Sequence, residues 1–289
     1  MRGPLRNVAI VVDSIACLDR EMVEQHGITV MPLSFYFKDK IYRDWVDVTP
    51  SEAYELFLKD PDSFKTSTVS PGIYLEAYRE IGKQASGILC VTVSSRISAC
   101  HTAAMDAREQ VKAELPDVPI EIMDSKMAGA AEGFIAMAAA RAAAEGKSLD
   151  EVVEAAREVK DKVHFICFLE TLRHVYRSGR IPKVASQLGS VLNIKPILKF
   201  SSGALHFVGI ARSKKNGIER LLKALKGKVG ENSAHIAIMH AYALDEAEKL
   251  KERISSEFNC SELWISEFSP LMGYACGTGT LGIAFYTDD

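Results

Sequence analysis

The feature that most constrains this chain is a rhythm. From Asn7 to about Lys160, short β-branched runs alternate with longer segments that carry helix start signals. That alternation specifies βαβ units around a mostly parallel sheet. The runs at 8–14, 28–37, 87–94 and 119–124 read as strands. Between them, 17–26 reads as a helix stopped by Gly27, and Lys38-Asp39-Lys40 as a turn. Thr49-Pro50-Ser51-Glu52 is a capping box with proline in the first turn. Ser70-Pro71 opens a helix to about 84, Ser98 opens one to about 115, and the alanine-rich stretch 126–145 makes another. Ser148-Leu149-Asp150-Glu151 is a second capping box, and its helix ends near Lys160.

Beyond that point the order changes. A strand at 163–169 precedes helices at 170–177 and 182–192. Two strands at 196–200 and 204–211 flank Ser201-Ser202-Gly203 as a hairpin. A helix at 216–226, a strand at 235–240, an amphipathic helix at 244–258 and two final strands follow. In that amphipathic helix Leu244, Ala247, Leu250, Ile254 and Phe258 share one face. The expectation is an α/β protein of two domains, a mostly parallel N-terminal domain at 1–160 and an α+β domain at 161–289, since 289 residues exceed the usual length of one domain.

The balance of 35 basic against 38 acidic residues leaves no cationic excess for a phosphate backbone, so nucleic acid is excluded as a partner class. The apolar run at 8–12 is too short for a signal core or a membrane span, and 133–144 is broken by Arg141. These features point to a cytoplasmic protein without stable membrane insertion. Six cysteines occur with no C-x-x-C pair, and seven histidines with no ligand spacing. The thiols therefore read as reduced and mostly buried, and no metal or cofactor is expected.

Two hydroxyl-rich segments stand where a parallel sheet gathers its functional loops, at the carboxyl ends of strands. One is Ser94-Ser95-Arg96-Ile97-Ser98-Ala99, leading from an apolar strand into a helix whose N-terminus favours an anion. The other is Lys65-Thr66-Ser67-Thr68-Val69-Ser70-Pro71. Asp13-Ser14 ends the first strand on the same edge, with Asp13 as a turn or cap residue. Read alone, Ser98 and Ser70 are equally accounted for as helix caps. Ser98 with His101 could form a nucleophile and base, although no third group is evident. Gly277-Thr278-Gly279-Thr280-Leu281-Gly282 matches G-x-G-x-x-G but precedes a strand, so it is not a dinucleotide fingerprint. Its glycines suit a close approach of backbone to ligand or neighbour. Arg173 to Arg180 and Arg212-Ser213-Lys214-Lys215 are basic clusters, solvated faces or docking points.

In their order and spacing, several pieces resemble the DegV family across nearly the whole chain. They include Val12-Asp13-Ser14, the 27–33 segment, Tyr42-Arg43-Asp44, Lys65-Thr66-Ser67, Ser94-Ser95 with Ser98, Asp124-Ser125-Lys126, Gly179-Arg180-Ile181, the 192–198 segment and the terminal glycine run. The resemblance implies a fatty acid in a tunnel between two domains. Thr66, Ser67, Ser98 and the Ala99 N–H would hold its carboxylate. It also implies a non-enzymatic carrier that presents the acid to an ATP-dependent fatty acid kinase subunit, with Arg180 and Arg212 contacting that partner or the transferred phosphate. The family's Gly-Thr-Tyr-Gln is here Ala99-Cys100-His101-Thr102. A histidine that relatives carry near the carboxylate corresponds to Ala275, with Tyr274, Cys276 and Gly277 beside it as further contacts. Apart from the resemblance, a Ser98-dependent acyl hydrolase and a regulatory module for another small anion remain open.

Overall fold

The computed structural model describes residues 7–179 and 194–288. The parallel rhythm folds into β1 (Ala9–Asp13), β2 (Thr29–Met31), β6 (Ile88–Thr92) and β7 (Ile120–Asp124), all parallel, in the order β2-β1-β6-β7. A small antiparallel sheet holds β3 (Ser34–Phe37), β4 (Lys40–Arg43) and β5 (Phe64–Ser67), in the order β4-β3-β5. A six-stranded mixed sheet holds β8 (His164–Phe168), β9 (Lys195–Ser201), β10 (Ala204–Ala211), β11 (Ala234–His240), β12 (Cys260–Glu267) and β13 (Leu281–Thr287). Its order is β10-β9-β8-β13-β11-β12.

The helices are α1 (Arg20–His26), α2 (Pro50–Lys59), α3 (Pro71–Gly82), α4 (Cys100–Val111), α5 (Ala130–Ala144), α6 (Leu149–Lys162), α7 (Arg173–Ser178), α8 (Lys214–Val229), α9 (Leu244–Glu257) and α10 (Pro270–Cys276). Both capping boxes close as the sequence predicts: Thr49 with Glu52 starts α2, and Ser148 with Glu151 starts α6. The alanine-rich helix α5 packs against β1 and β6 on one side and β11 and β13 on the other. Eleven of its fifteen residues are buried. Alanine suits that place because its short side chain lets two sheets approach one helix closely. Among the described residues, no helix is long and apolar enough to cross a membrane. The six cysteines are free, five buried and Cys260 half-buried.

Four expectations are corrected. The strand at 28–37 is two strands in different sheets: Pro32 follows β2 and cannot donate to a ladder, so the chain turns there and β3 pairs elsewhere. Segment 65–71 is not all loop, since Phe64 to Ser67 pair with β3. The helix at 17–26 begins only at Arg20, where Asp19 caps Met22 N–H at 2.7 Å, because Ser14–Ala16 form a 3-10 turn and Cys17 is left-handed at φ 53°. Leu244 does not join Ala247, Leu250 and Ile254 in the core; it is 51% exposed at the first position of α9. The short helix α10, with Pro270 in its first turn, lies between the last two strands and was not foreseen. The helix expected at 182–192 lies outside the described residues.

Candidate functional site

A cavity opens where the carboxyl ends of β1 and β6 face the six-stranded sheet. It offers about 90 Å³ to the centre of a water molecule, within about 760 Å³ of unfilled space that includes its mouth. One wall comes from the first half of the chain: Ile15 after β1, Leu33, Thr66, Ser67 and Thr68 from β5 and its loop, Val93, Ile97 and Ser98 after β6, and Ala128. The other wall carries Phe165 of β8, Phe200 of β9, Leu205 of β10, and Leu271, Met272, Tyr274, Ala275 and Cys276 of α10.

Among the described residues, no ionisable acid or base lines this cavity apart from Tyr274 and the Cys276 thiol. Burial pushes that thiol up to about 12, so it stays protonated. The polar atoms of the first wall are hydroxyls, and the N-terminus of α4 begins directly behind Ser98. The arrangement can accept one carboxylate through neutral donors and a helix dipole while its apolar sides cover a hydrocarbon chain.

The two hydroxyl loops are held together by Cys100. Its thiol receives the Ser98 hydroxyl at 3.1 Å and also the Val69 N–H from the loop beyond Thr68. Ser98 Oγ in turn accepts the Cys100 N–H at 3.3 Å, so Ser98 closes the turn into α4 while Ala99 occupies the cap position. Burial raises the Cys100 thiol to about 12, which leaves it a structural group and not a nucleophile. His101 lies on Thr92 Oγ1 at 3.3 Å, away from the Ser98 partners just described. The Ser98–His101 pairing that a hydrolase requires is therefore not assembled.

Two buried carboxyl groups brace the walls. Asp13 accepts the N–H groups of Val93 at 2.8 Å and Ile15 at 3.1 Å, and both of those residues line the cavity. The capping role read from sequence is thus present, together with a cross-strand one. Burial pushes the Asp13 carboxyl up to about 7, against the two N–H groups that lower it. Asp44 receives the Ser269 hydroxyl at 2.7 Å immediately before α10, and burial raises it to about 6. The Tyr54 hydroxyl donates to Phe268 O at 2.9 Å, and a Cβ on Gly273 would overlap the Tyr54 ring. Only glycine permits α10 to lie so close to α2. Ser94 Oγ donates to Gly203 O at 2.7 Å, fastening the β9–β10 hairpin over the site.

Of the residues expected from sequence, Thr66, Ser67, Ser98, Tyr274, Ala275 and Cys276 come together on one cavity. Ala99 is exposed at the cap of α4 and is not on the lining. Gly277 ends α10 at φ +83°, where a Cβ would strike the His174 ring. Arg212 is exposed directly after β10, and Arg180 lies outside the described residues. Asp44, Cys100, Gly273 and Ser269 were missed as parts of this site. Asp44 lies between Arg43 and Trp45, and nothing in that segment marks one acid as buried beside Ser269; Cys100 carries no local signal either.

The sequence pattern described as "Uncharacterised protein, DegV family" matches residues 7–288. The chain belongs to the DegV family. Protein DegV of Bacillus subtilis is 30% identical over 281 residues, spanning 96% of this chain and 99% of that protein. A DegV domain-containing protein of Streptomyces coelicolor is 32% identical over 281 residues, spanning 96% and 98%. Among solved structures, the Bacillus subtilis DegV, described as a fatty acid binding protein, superposes with a TM-score of 0.89 at 28% identity, covering 98% of this chain and all of that one. A DegV family protein from Thermus thermophilus, also described by its fatty acid binding, gives 0.88 at 25% identity, covering 97% and 99%. The DegV fold, with its parallel and mixed sheets, is thus the fold of this chain.

Proposed function

We propose that this DegV protein binds a long-chain fatty acid in the cavity between its sheets, with the carboxylate on Thr66, Ser67 and Ser98. The observation that carries this reading is the distribution of polarity in one cavity: hydroxyls and a helix N-terminus on the first wall, and Phe165, Phe200, Leu205 and Leu271 on the second. Burying about fourteen methylenes at ~0.8 kcal/mol each contributes at most ~11 kcal/mol before ordering costs. The tail supplies affinity and the head group fixes register. Fatty acid binding by the Bacillus subtilis and Thermus thermophilus relatives supports the same reading.

The finer proposal is a cytoplasmic carrier with no cofactor and no turnover of its own. It presents the acid to an ATP-dependent kinase partner near the exposed Arg212, with a boundary between its two domains near residue 160. Native mass spectrometry of the purified protein, followed by solvent extraction, tests the binding itself. A stoichiometric C14 to C18 acid that is depleted in Thr66→Ala and Ser98→Ala is the expected result. An empty protein that also fails to take up added oleate or palmitate overturns the proposal and leaves the small-anion module.

A further inference from the structure

The most cationic stretch of the chain is 195–228, with nine lysines and arginines against one acid, Glu219. Within it, a cleft opens between β8, β9 and α8, on residues apart from the cavity hydroxyls. It gives about 210 Å³ to the centre of a water molecule. Lys199 reaches it from β9, Lys223 and Lys228 from α8, and His164 from β8. Phe285 of β13 lies 5.4 Å from the His164 ring, and Gly227 leaves open space at the helix side.

We propose that this cleft binds a soluble phosphate-bearing ligand, held by Lys199, Lys223 and Lys228 beside His164. Two other cations on α8 have acidic partners: Lys214 pairs with Glu246 and Lys226 with Glu231. Among the described residues, Lys199, Lys223 and Lys228 enter no ion pair. The favourable field at a helix C-terminus accounts for Lys226 and Lys228 in the last turn. It does not account for Lys223 one turn earlier or for Lys199 on a strand.

The convergence is electrostatic as well as geometric. His164 is held below its ordinary basicity by burial first, then by Lys228 and Lys199, so both ammonium groups act on one ring. Like charges around a half-buried imidazole are stabilised by a bound anion. Lysine ammonium groups are point charges suited to phosphate oxygens. This site stands independently of the fatty acid reading, because none of its four polar residues lines the lipid cavity.

The test follows the His164 ring signals by NMR, assigned with His164→Asn, while inorganic pyrophosphate is titrated into the full-length protein at fixed salt. The expected result is a saturable one-to-one shift, with the His164 pKa rising as the anion replaces net cationic surroundings. Lys199→Ala with Lys228→Ala is expected to weaken binding by about tenfold or more, the usual scale for charge-assisted contacts. Lys226→Ala, which removes a paired cation, is expected to leave it unchanged. No saturable shift, or an equal shift in the double variant with an unaltered melting curve, overturns the proposal. A response to phosphatidylglycerol vesicles but not to pyrophosphate overturns the assignment to a soluble ligand.

Discussion

The two walls of the cavity are made in opposite ways. The wall from the first half of the chain is built where strands end: β1 and β6 stop, and the end of β5 and the turn before α4 lie beside their carboxyl ends, braced by Asp13 and by the Cys100 thiol. The wall after residue 160 is built from side chains that project out of the antiparallel part of the mixed sheet, β8 to β10, and from α10, pinned by Asp44 to Ser269 and by Tyr54 over Gly273. The hydroxyls of the first wall are half-buried at the cavity, so editing them costs less structure, the loss at Ser98 being its contacts with Cys100. Editing the second wall costs more, because its groups carry the core.

That contrast sets an order of expected effects. Phe200→Ala is expected to cost the most, about 3–5 kcal/mol in urea unfolding, since Phe200 is 2% exposed and stacks on Phe165 at 5.9 Å. Gly273→Ala is next at about 2 kcal/mol, because the added methyl must displace Tyr54. Its melting curve, compared with that of the Tyr54→Phe/Gly273→Ala pair, separates overlap from loss of the Phe268 hydrogen bond. A negligible loss at either position breaks the account of a core-bearing wall.

On the other wall, Ser98→Ala is expected to lower affinity for palmitate by about 1–1.5 kcal/mol, roughly five- to tenfold, while shifting stability by less. Displacement of a fluorescent fatty acid measures the first and urea unfolding the second. A variant that is destabilised but binds normally when folded would show Ser98 to close the turn into α4 and nothing more.

The smallest expected effect is a pH slope. The Asp13 carboxyl is raised to about 7 in the folded chain, from an ordinary value near 3.8. Between those values only the folded form holds the proton, so this contribution is full below the lower value and is lost as pH rises through about 7. From pH 6 to 8 the loss is about 1.4 kcal/mol, about 0.7 kcal/mol per pH unit. Asp44, raised to about 6, acts in the same direction. Thermal melts across that range should fall with pH in the wild type and flatten in Asp13→Asn. A melting point that rises with pH would contradict the buried, protonated carboxyl.

The same contrast explains what was legible in the sequence. Caps and proline starts are local signals, so Thr49, Ser148 and the parallel strands could be read from short windows. The split at Pro32 was visible in principle, but the apolar run continued through it and concealed a change of sheet. The apolar wall depends on long-range packing. Nothing near Gly273 announces Tyr54, 219 positions earlier in the chain, and no alternation in 270–276 distinguishes a short helix from a strand approach. Asp44 reads as a surface acid until the Ser269 side of the fold is placed over it.

The central claim, one acyl chain with its carboxylate on the hydroxyl wall, is tested most directly by NMR of palmitate labelled with carbon-13 at its carboxyl. The account predicts one bound carboxyl signal per protein, displaced in Ser98→Ala and in Thr66→Ala and unmoved in Arg212→Ala. A bound signal indifferent to both hydroxyl substitutions, or no bound signal at all, would contradict it.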